Sequence, residues 1–256
     1  MLTARRFTLP LQALEPMDLG EEASASLLLL NPTGGILGGD RLETEVALGP
    51  GAHAVLSTPS ATRVYRSPGR PACQRTVLTL GPRAVLEWLP EHSIPSPGAR
   101  LQQATEITMA PEAVLIFWDA WATGRAARGE TWGFDLLDTS VTARDPAGLL
   151  VRERAVLEGR PRVDGLGGTE RFGYVGTLLV LAPDRPRWPE LAGALHAAVA
   201  GAVPDCRIGV TALARGGLLA RVLAPRAPAL AAALAALWAD VRRALLGLTP
   251  LDLRKL

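Results

Sequence analysis

The chain holds few of the histidine and cysteine side chains that most often build metal centres and nucleophilic sites. Its histidines are His53, His92 and His196, and its cysteines are Cys73 and Cys206. No His-x-His, His-Glu-x-x-His or Cys-x-x-Cys spacing occurs among them, which argues against a closed zinc centre. Glu87, Glu91 and His92 fall together in the run Glu-Trp-Leu-Pro-Glu-His. In a strand Glu87 and Glu91 would share a face, but Pro90 interrupts it. Asp40 and Asp119 are further acids in largely apolar surroundings. A buried carboxylate must be paired or bind a cation, and with arginine abundant here an Arg partner is the plainer reading. Ser57, Thr58 and Ser60 follow His53, yet there is no nucleophile elbow.

The stretch Thr33-Gly-Gly-Ile-Leu-Gly-Gly-Asp40 invites a phosphate-binding reading and fails it. No Lys-Ser or Lys-Thr follows Gly34, Gly35, Gly38 and Gly39, and their spacing is not Gly-x-Gly-x-x-Gly. A tight bend packed against a neighbouring strand fits better. Downstream, Arg63-x-Tyr65-Arg66 is suited to clamp an anion or the acids of a partner protein, with surface salt bridging the plainer alternative.

These residues need elements to position them. Residues 24–30 read as a buried strand, stopped at Asn31-Pro32. From Leu42 to Leu48 apolar and acidic residues alternate, with Leu42, Thr44, Val46 and Leu48 on one face and Glu43 and Glu45 on the other. A repeat follows. Val46-Ala-Leu-Gly-Pro50 leads to Ala54-Val-Leu56, Val77-Leu-Thr-Leu-Gly-Pro82 to Ala84-Val-Leu86, and Ile107-Thr-Met-Ala-Pro111 to Ala113-Val-Leu115. Aligned on Ala-Val-Leu, the first unit is two residues longer, an even insertion that leaves every side chain on its face. Three strand–turn–strand units at a period of roughly 30 residues suggest stacked β-hairpin layers with proline corners. Irregular returns then bring Arg63, Tyr65, Arg66, Glu91, His92 and Arg125 to one edge.

Further strands run from Trp132 to Leu157 around Asp145-Pro-Ala-Gly148, a hairpin signal. Gly165–Gly168 reads as a loop and Val175–Leu181 as a strand. Pro189 opens a short helix ending before Gly201, and residues 207–223 form a hairpin closed at Gly216-Gly217. Leu230, Leu234, Leu237, Trp238, Val241 and Leu245 make one helical stripe. Arg242 and Arg243 favour that helix's last turn electrostatically, and Gly247 ends it.

The composition is 48% apolar and 20% charged, with formal net charge +2, which is globular and not that of a dedicated nucleic-acid binder. Lys255 is the only lysine, and the Arg- and Ala-rich usage is also what a GC-rich genome produces. The longest apolar run, 229–239, is far short of the roughly 20 residues of a membrane span, and the N-terminus lacks a signal-peptide pattern. The expectation is one cytoplasmic, soluble, mainly β domain over 1–256, elongated and layered, with two helices in the last third and reduced cysteines.

Asn31-Pro32, the paired glycines, Asp40-Arg41-Leu42, Leu48-Gly-Pro-Gly-Ala52, Tyr65-Arg66-Ser67 and Glu87-Trp-Leu-Pro90 together resemble the urease accessory protein family UreD, also called UreH. Gly124-Arg125, Gly129-Glu130 and Leu237-Trp238 extend the likeness. The family often has a cysteine just before the Gly-Arg pair, and here the segment reads Trp121-Ala-Thr-Gly-Arg125. The aromatic C-terminal ending of relatives is also missing. The resemblance implies a β-rich, non-catalytic scaffold that joins UreF and the GTPase UreG and helps load nickel into apo-urease, and that can be dimeric in the complex. GTP would sit on UreG, and this chain would hold no tight cofactor. Nickel accepts oxygen and imidazole ligands, so Asp40, Glu87, Glu91 and His92 are candidates for a transient path. The glycines with Arg41, Arg63, Tyr65 and Arg66 are candidates for partner contact. The competing expectation is a small-molecule enzyme using Asp40 or Glu87 as general acid or base beside the glycine bend.

Overall fold

The computed structural model describes residues 2–20, 24–158, 169–170, 172–185 and 187–253; the loop expected at Gly165–Gly168 lies outside them. The chain opens with β1 (Gln12–Ala13) and β2 (Ala25–Leu30). Three coils of a solenoid follow. The first holds β3 (Arg41–Leu48), β4 (His53–Ser57) and β5 (Thr62–Val64). The second holds β6 (Ala72–Leu80), β7 (Val85–Leu89) and β8 (Ser93–Pro95), and the third β9 (Arg100–Met109) and β10 (Val114–Ala122). Then come β11 (Leu136–Asp145), β12 (Gly148–Leu157), β13 (Tyr174–Leu181), α1 (Trp188–Ala202), β14 (Arg207–Ala212), β15 (Gly217–Ala224) and α2 (Ala227–Leu246).

Stacked sheet layers are present, but the strands of each proline-cornered unit do not pair with each other. β3, β6 and β9 join in parallel in the smaller sheet, ordered β12-β11-β9-β6-β3. β4, β7 and β10 join in parallel in the larger one, ordered β1-β2-β4-β7-β10-β13-β15-β14. Each unit is therefore an arch bridging two sheets. The corners are β-turns: Ala52 N donates to Gly49 O, Ala84 N to Gly81 O and Ala113 N to Ala110 O, with proline in the position whose φ it presets. Further backbone groups at the corners bond to the neighbouring coil. Gly51 N donates to Pro82 O at 2.9 Å, Gly81 N to Leu48 O at 2.9 Å and Ala110 N to Leu80 O at 2.9 Å.

This stacking also corrects the repeat. His53 pairs with Val85 and Ala54 with Leu86, so the first corner is no longer than the others. The Ala-Val-Leu match is offset by two residues. Turn hydrogen bonds, not a three-residue apolar similarity, set the level of each rung. Because the offset is even, the assignment of faces survives it.

The first two returns line up, β5 pairing with β8 in parallel; Ile36 bridges to Val64, and Ser93 pairs with Trp121 near the end of β10. The glycine bend lies against these returns. A Cβ on Gly35 would come within 2.6 Å of Arg63 O and 2.7 Å of the Tyr65 ring, and one on Gly38 within 2.8 Å of Ser67 Cβ. β11 and β12 form the antiparallel hairpin foreseen at Asp145-Pro-Ala-Gly148, and β14 and β15 pair across the corner preceding Gly217. Helix α1 runs through Gly201 instead of stopping before it.

Both helices cover the outer face of the larger sheet. Leu230, Leu234, Leu237, Trp238 and Val241 of α2 share one core with Ile116, Leu178, Val180 and Leu218, and α1 adds Trp188, Leu195 and Val199. Gly176 lets α2 approach, since a Cβ there would meet Leu230 Cδ1 at 2.8 Å. Cys73 and Cys206 are free.

The close packing of the bend gives a contrast to measure. Gly35→Ala overpacks a filled contact and should cost about 1–3 kcal/mol. Gly49→Ala, where nothing lies within 4 Å of the added methyl, should stay within about 0.5 kcal/mol of wild type. Urea unfolding of the two variants checks this.

Candidate functional site

Two apolar clusters fill the space between the sheets. One, near the proline corners, holds Leu48, Leu78, Leu80, Ile107, Met109, Leu86, Leu115 and Phe117. The other, near the glycine bend, holds Ile36, Leu42, Val64, Leu101, Trp132 and Phe134. A polar belt separates them. On the smaller sheet Thr44, Thr76 and Thr105 stand in register, as do Gln74 and Gln103. On the larger sheet Asp119 lies two residues beyond the buried Phe117 on β10. These groups line a cavity of about 340 Å³ that also reaches Asn31, Thr58 and Glu91. Hydroxyl, amide and carboxylate oxygens on rigid strands offer weak, hard ligands for a passing cation. Two apolar core layers thus frame a wettable layer.

Asp119 is the titratable centre of the belt. Burial pushes its carboxyl up to about 6, opposed by a hydrogen bond from the Gln103 side chain and the backbone of Ala120. The Glu153 charge raises it further and Arg221 lowers it. Asp119 was noted in the sequence only as an acid in apolar surroundings; nothing local showed that Gln103 would face it.

Glu87 has a different place. It is fully buried, on the α2 side of the larger sheet. His53 Nε2 lies 2.7 Å from its Oε1, Trp238 Nε1 donates to Oε2 at 2.5 Å, and Arg242 Nε is 3.1 Å from both oxygens. The corrected register explains the pairing with His53: Glu87 sits beside Val55, whose same-face neighbour along β4 is His53. Burial would raise the Glu87 pKa. The hydrogen bond from His53, the Arg242 charge and the hydrogen bond from Trp238 outweigh it and hold the carboxyl below its ordinary value. Arg242, expected to serve the helix terminus, is fully buried instead. Its guanidinium also donates to Thr249 O, and its Cζ lies 5.6 Å from the centre of the Trp238 ring. The plainer reading of a buried acid, an arginine partner, is the one found. Residues 151 and 155 positions away supply it, and no local spacing announces them.

The four candidate nickel ligands do not converge. Asp40 closes the glycine bend, its Oδ2 accepting from Leu37 N at 2.8 Å. Glu91 lines the cavity, its backbone N–H donating to Thr58 Oγ1 at 2.8 Å. His92 is its neighbour, Nδ1 3.6 Å from Glu91 Oε2, with its ring edge-on to Tyr174. Among the described residues no group of three or more His, Cys, Asp or Glu side chains could hold a metal ion. A general acid or base at Asp40 or Glu87 finds no support either, because Glu87 is sealed from solvent and neither lines the cavity. Of the motif residues, Tyr65 donates to Gly34 O at 3.3 Å, Arg63 lines the cavity beside Gly34 and Gly35, and Arg41 and Arg66 are exposed. Arg125 and Glu130 form a bidentate pair at 2.6 and 2.9 Å that closes their loop.

Comparison with known proteins adds an independent finding. Residues 1–255 match the family model described as UreD urease accessory protein. The urease accessory protein UreD of Cupriavidus necator is 37% identical over 259 residues, covering 99% of this chain and 88% of that protein. That of Delftia acidovorans is 35% identical over 96% of this chain and 85% of its own length. That of Klebsiella pneumoniae is 38% identical over 62% of this chain and 57% of its own.

Two substitutions separate the roles of the two acids. Glu87→Ala takes the buried carboxylate away from Arg242, Trp238 and His53 and should destabilise the fold by about 3–5 kcal/mol, read as a fall in Tm. Asp119→Asn should stabilise it. With a folded pKa near 6 against 3.8 unfolded, the folded state binds the extra proton between those values, so wild-type stability falls as pH rises from 4 to 6. The variant's advantage should be small at pH 4 and reach on the order of 1–3 kcal/mol at pH 7. Thermal melts of both proteins across that range give the difference directly.

Proposed function

The chain belongs to the UreD urease accessory protein family, and on that premise we propose that it is a non-catalytic scaffold in urease maturation. It works in the cytoplasm with UreF and UreG and passes nickel towards apo-urease through the space between its two sheets. The observation that carries this reading is the polar belt between the two apolar clusters. Its oxygen donors are spaced along in-register strands and not gathered into a cage, which suits an ion that must leave as readily as it arrives. Glu91 stands on the cavity wall with Asn31 and Thr58, and Asp119 lies further along the belt. Nickel is the cargo here, and GTP belongs to UreG. The outward-facing Arg41 and Arg66 remain candidates for contact with a partner protein. Glu87 contributes by holding α2 to the sheet, and Asp40 by holding the bend.

The test is urease activation at limiting nickel, with the urease subunits, UreF and UreG co-expressed. Omitting this chain should leave urease inactive. Glu91→Gln and Asp119→Asn should each lower activation about tenfold or more, while the variants still co-purify with their partners. Full activation by the double variant would overturn the passage, and full activation without the chain would overturn the role itself.

A further inference from the structure

On β10 the cavity is lined by Asp119, and among the described residues none of β13 or β15 lines it. Past it, along the same row of the larger sheet, stand Thr177 and then Arg221, each in register with the one before. The Arg221 guanidinium donates to Thr177 Oγ1 at 2.9 Å and to the carboxylate of Glu153. Glu153 belongs to β12, in the other sheet, so this contact crosses the interior at the end of the belt. Solvent reaches it from outside: 45% of the Arg221 side chain and 23% of that of Glu153 are exposed. On β14 the residue opposite Arg221 is Gly209, which has no side chain to cover it. Asp119 senses both partners of the bridge.

We propose that the Arg221–Glu153 bridge is a gate at the far end of the belt, in which the guanidinium occupies the place of the travelling divalent cation. The inference rests on the reading that nickel moves through the belt. In the closed state Arg221 satisfies Glu153 and opposes a second positive charge near Asp119. A partly exposed ion pair is weak, so an arriving cation can displace the guanidinium into solvent and meet Glu153 and Asp119 together. When the cation leaves, the arginine returns and neutralises Glu153. The resting chain thereby keeps its interior from retaining metal. Arginine suits this task better than lysine because its fork holds Thr177 and Glu153 at once.

Titrating the nickel ion alone into the purified full-length chain by calorimetry tests the gate, with folding followed by circular dichroism. Arg221→Gln should bind nickel about tenfold more tightly than wild type. Arg221→Met, which keeps the packed stem, should do the same if the glutamine variant folds poorly. Adding Asp119→Asn to either should abolish the gain. If both Arg221 variants bind nickel as wild type does while Asp119→Asn still lowers urease activation, the bridge merely joins the sheets and the gate is wrong, though the passage stands. If neither nickel binding nor activation responds to any of these changes, the passage falls and the gate with it.

Discussion

The register of the three stacked coils governs the rest of the molecule. Parallel strands must be joined by crossovers, and here each crossover is an arch with a proline corner. Corner-to-corner hydrogen bonds fix the height of each rung, and with it which residues share a row. A threonine in one rung then lies beside a threonine in the next, as Thr44, Thr76 and Thr105 do. The belt is this row repetition made continuous. A slip by one residue would turn Glu43, Arg75 and Ala104 inward instead.

Rows also explain how polar groups survive in the interior. The apolar clusters on either side of the belt supply the hydrophobic stabilisation, so the belt between them can stay polar. Outside the larger sheet the arrangement is the reverse. There one fully buried carboxylate, Glu87, is saturated by His53, Trp238 and Arg242, and it ties α2 to the first two coils. Removing Glu87 takes one buried acceptor away from His53, Trp238 and Arg242 together, which makes the cluster a device of orientation more than a source of net stability. The two acids that looked alike in the sequence, Glu87 and Asp119, therefore serve on opposite faces of one sheet. One is rigid and paired, and the other lies on the belt.

Much of this architecture was legible in the sequence because it is local. Alternation marked β3, the prolines marked the corners, Asp145-Pro-Ala-Gly148 marked a hairpin, and the Leu230–Leu245 stripe marked α2. What connects distant segments was not legible. Whether an arch pairs with itself or with the next coil depends on backbone bonds that no side-chain pattern records, so hairpins and arches read alike. Arg242 looked like a helix-terminus charge because its partner lies 155 residues earlier. Glu91 and His92 were found as a local pair. Asp119 with Gln103, and Arg221 with Glu153, needed both sheets to be in place.

Filling the belt tests most directly whether the chain works as a conduit. Thr44→Phe puts a ring into the cavity from the edge strand β3, and the account predicts that nickel-dependent activation of urease is lost while the folded chain and its association with partner proteins persist. Undiminished activation by that variant, with a structure showing the cavity occupied by the new ring, would contradict it.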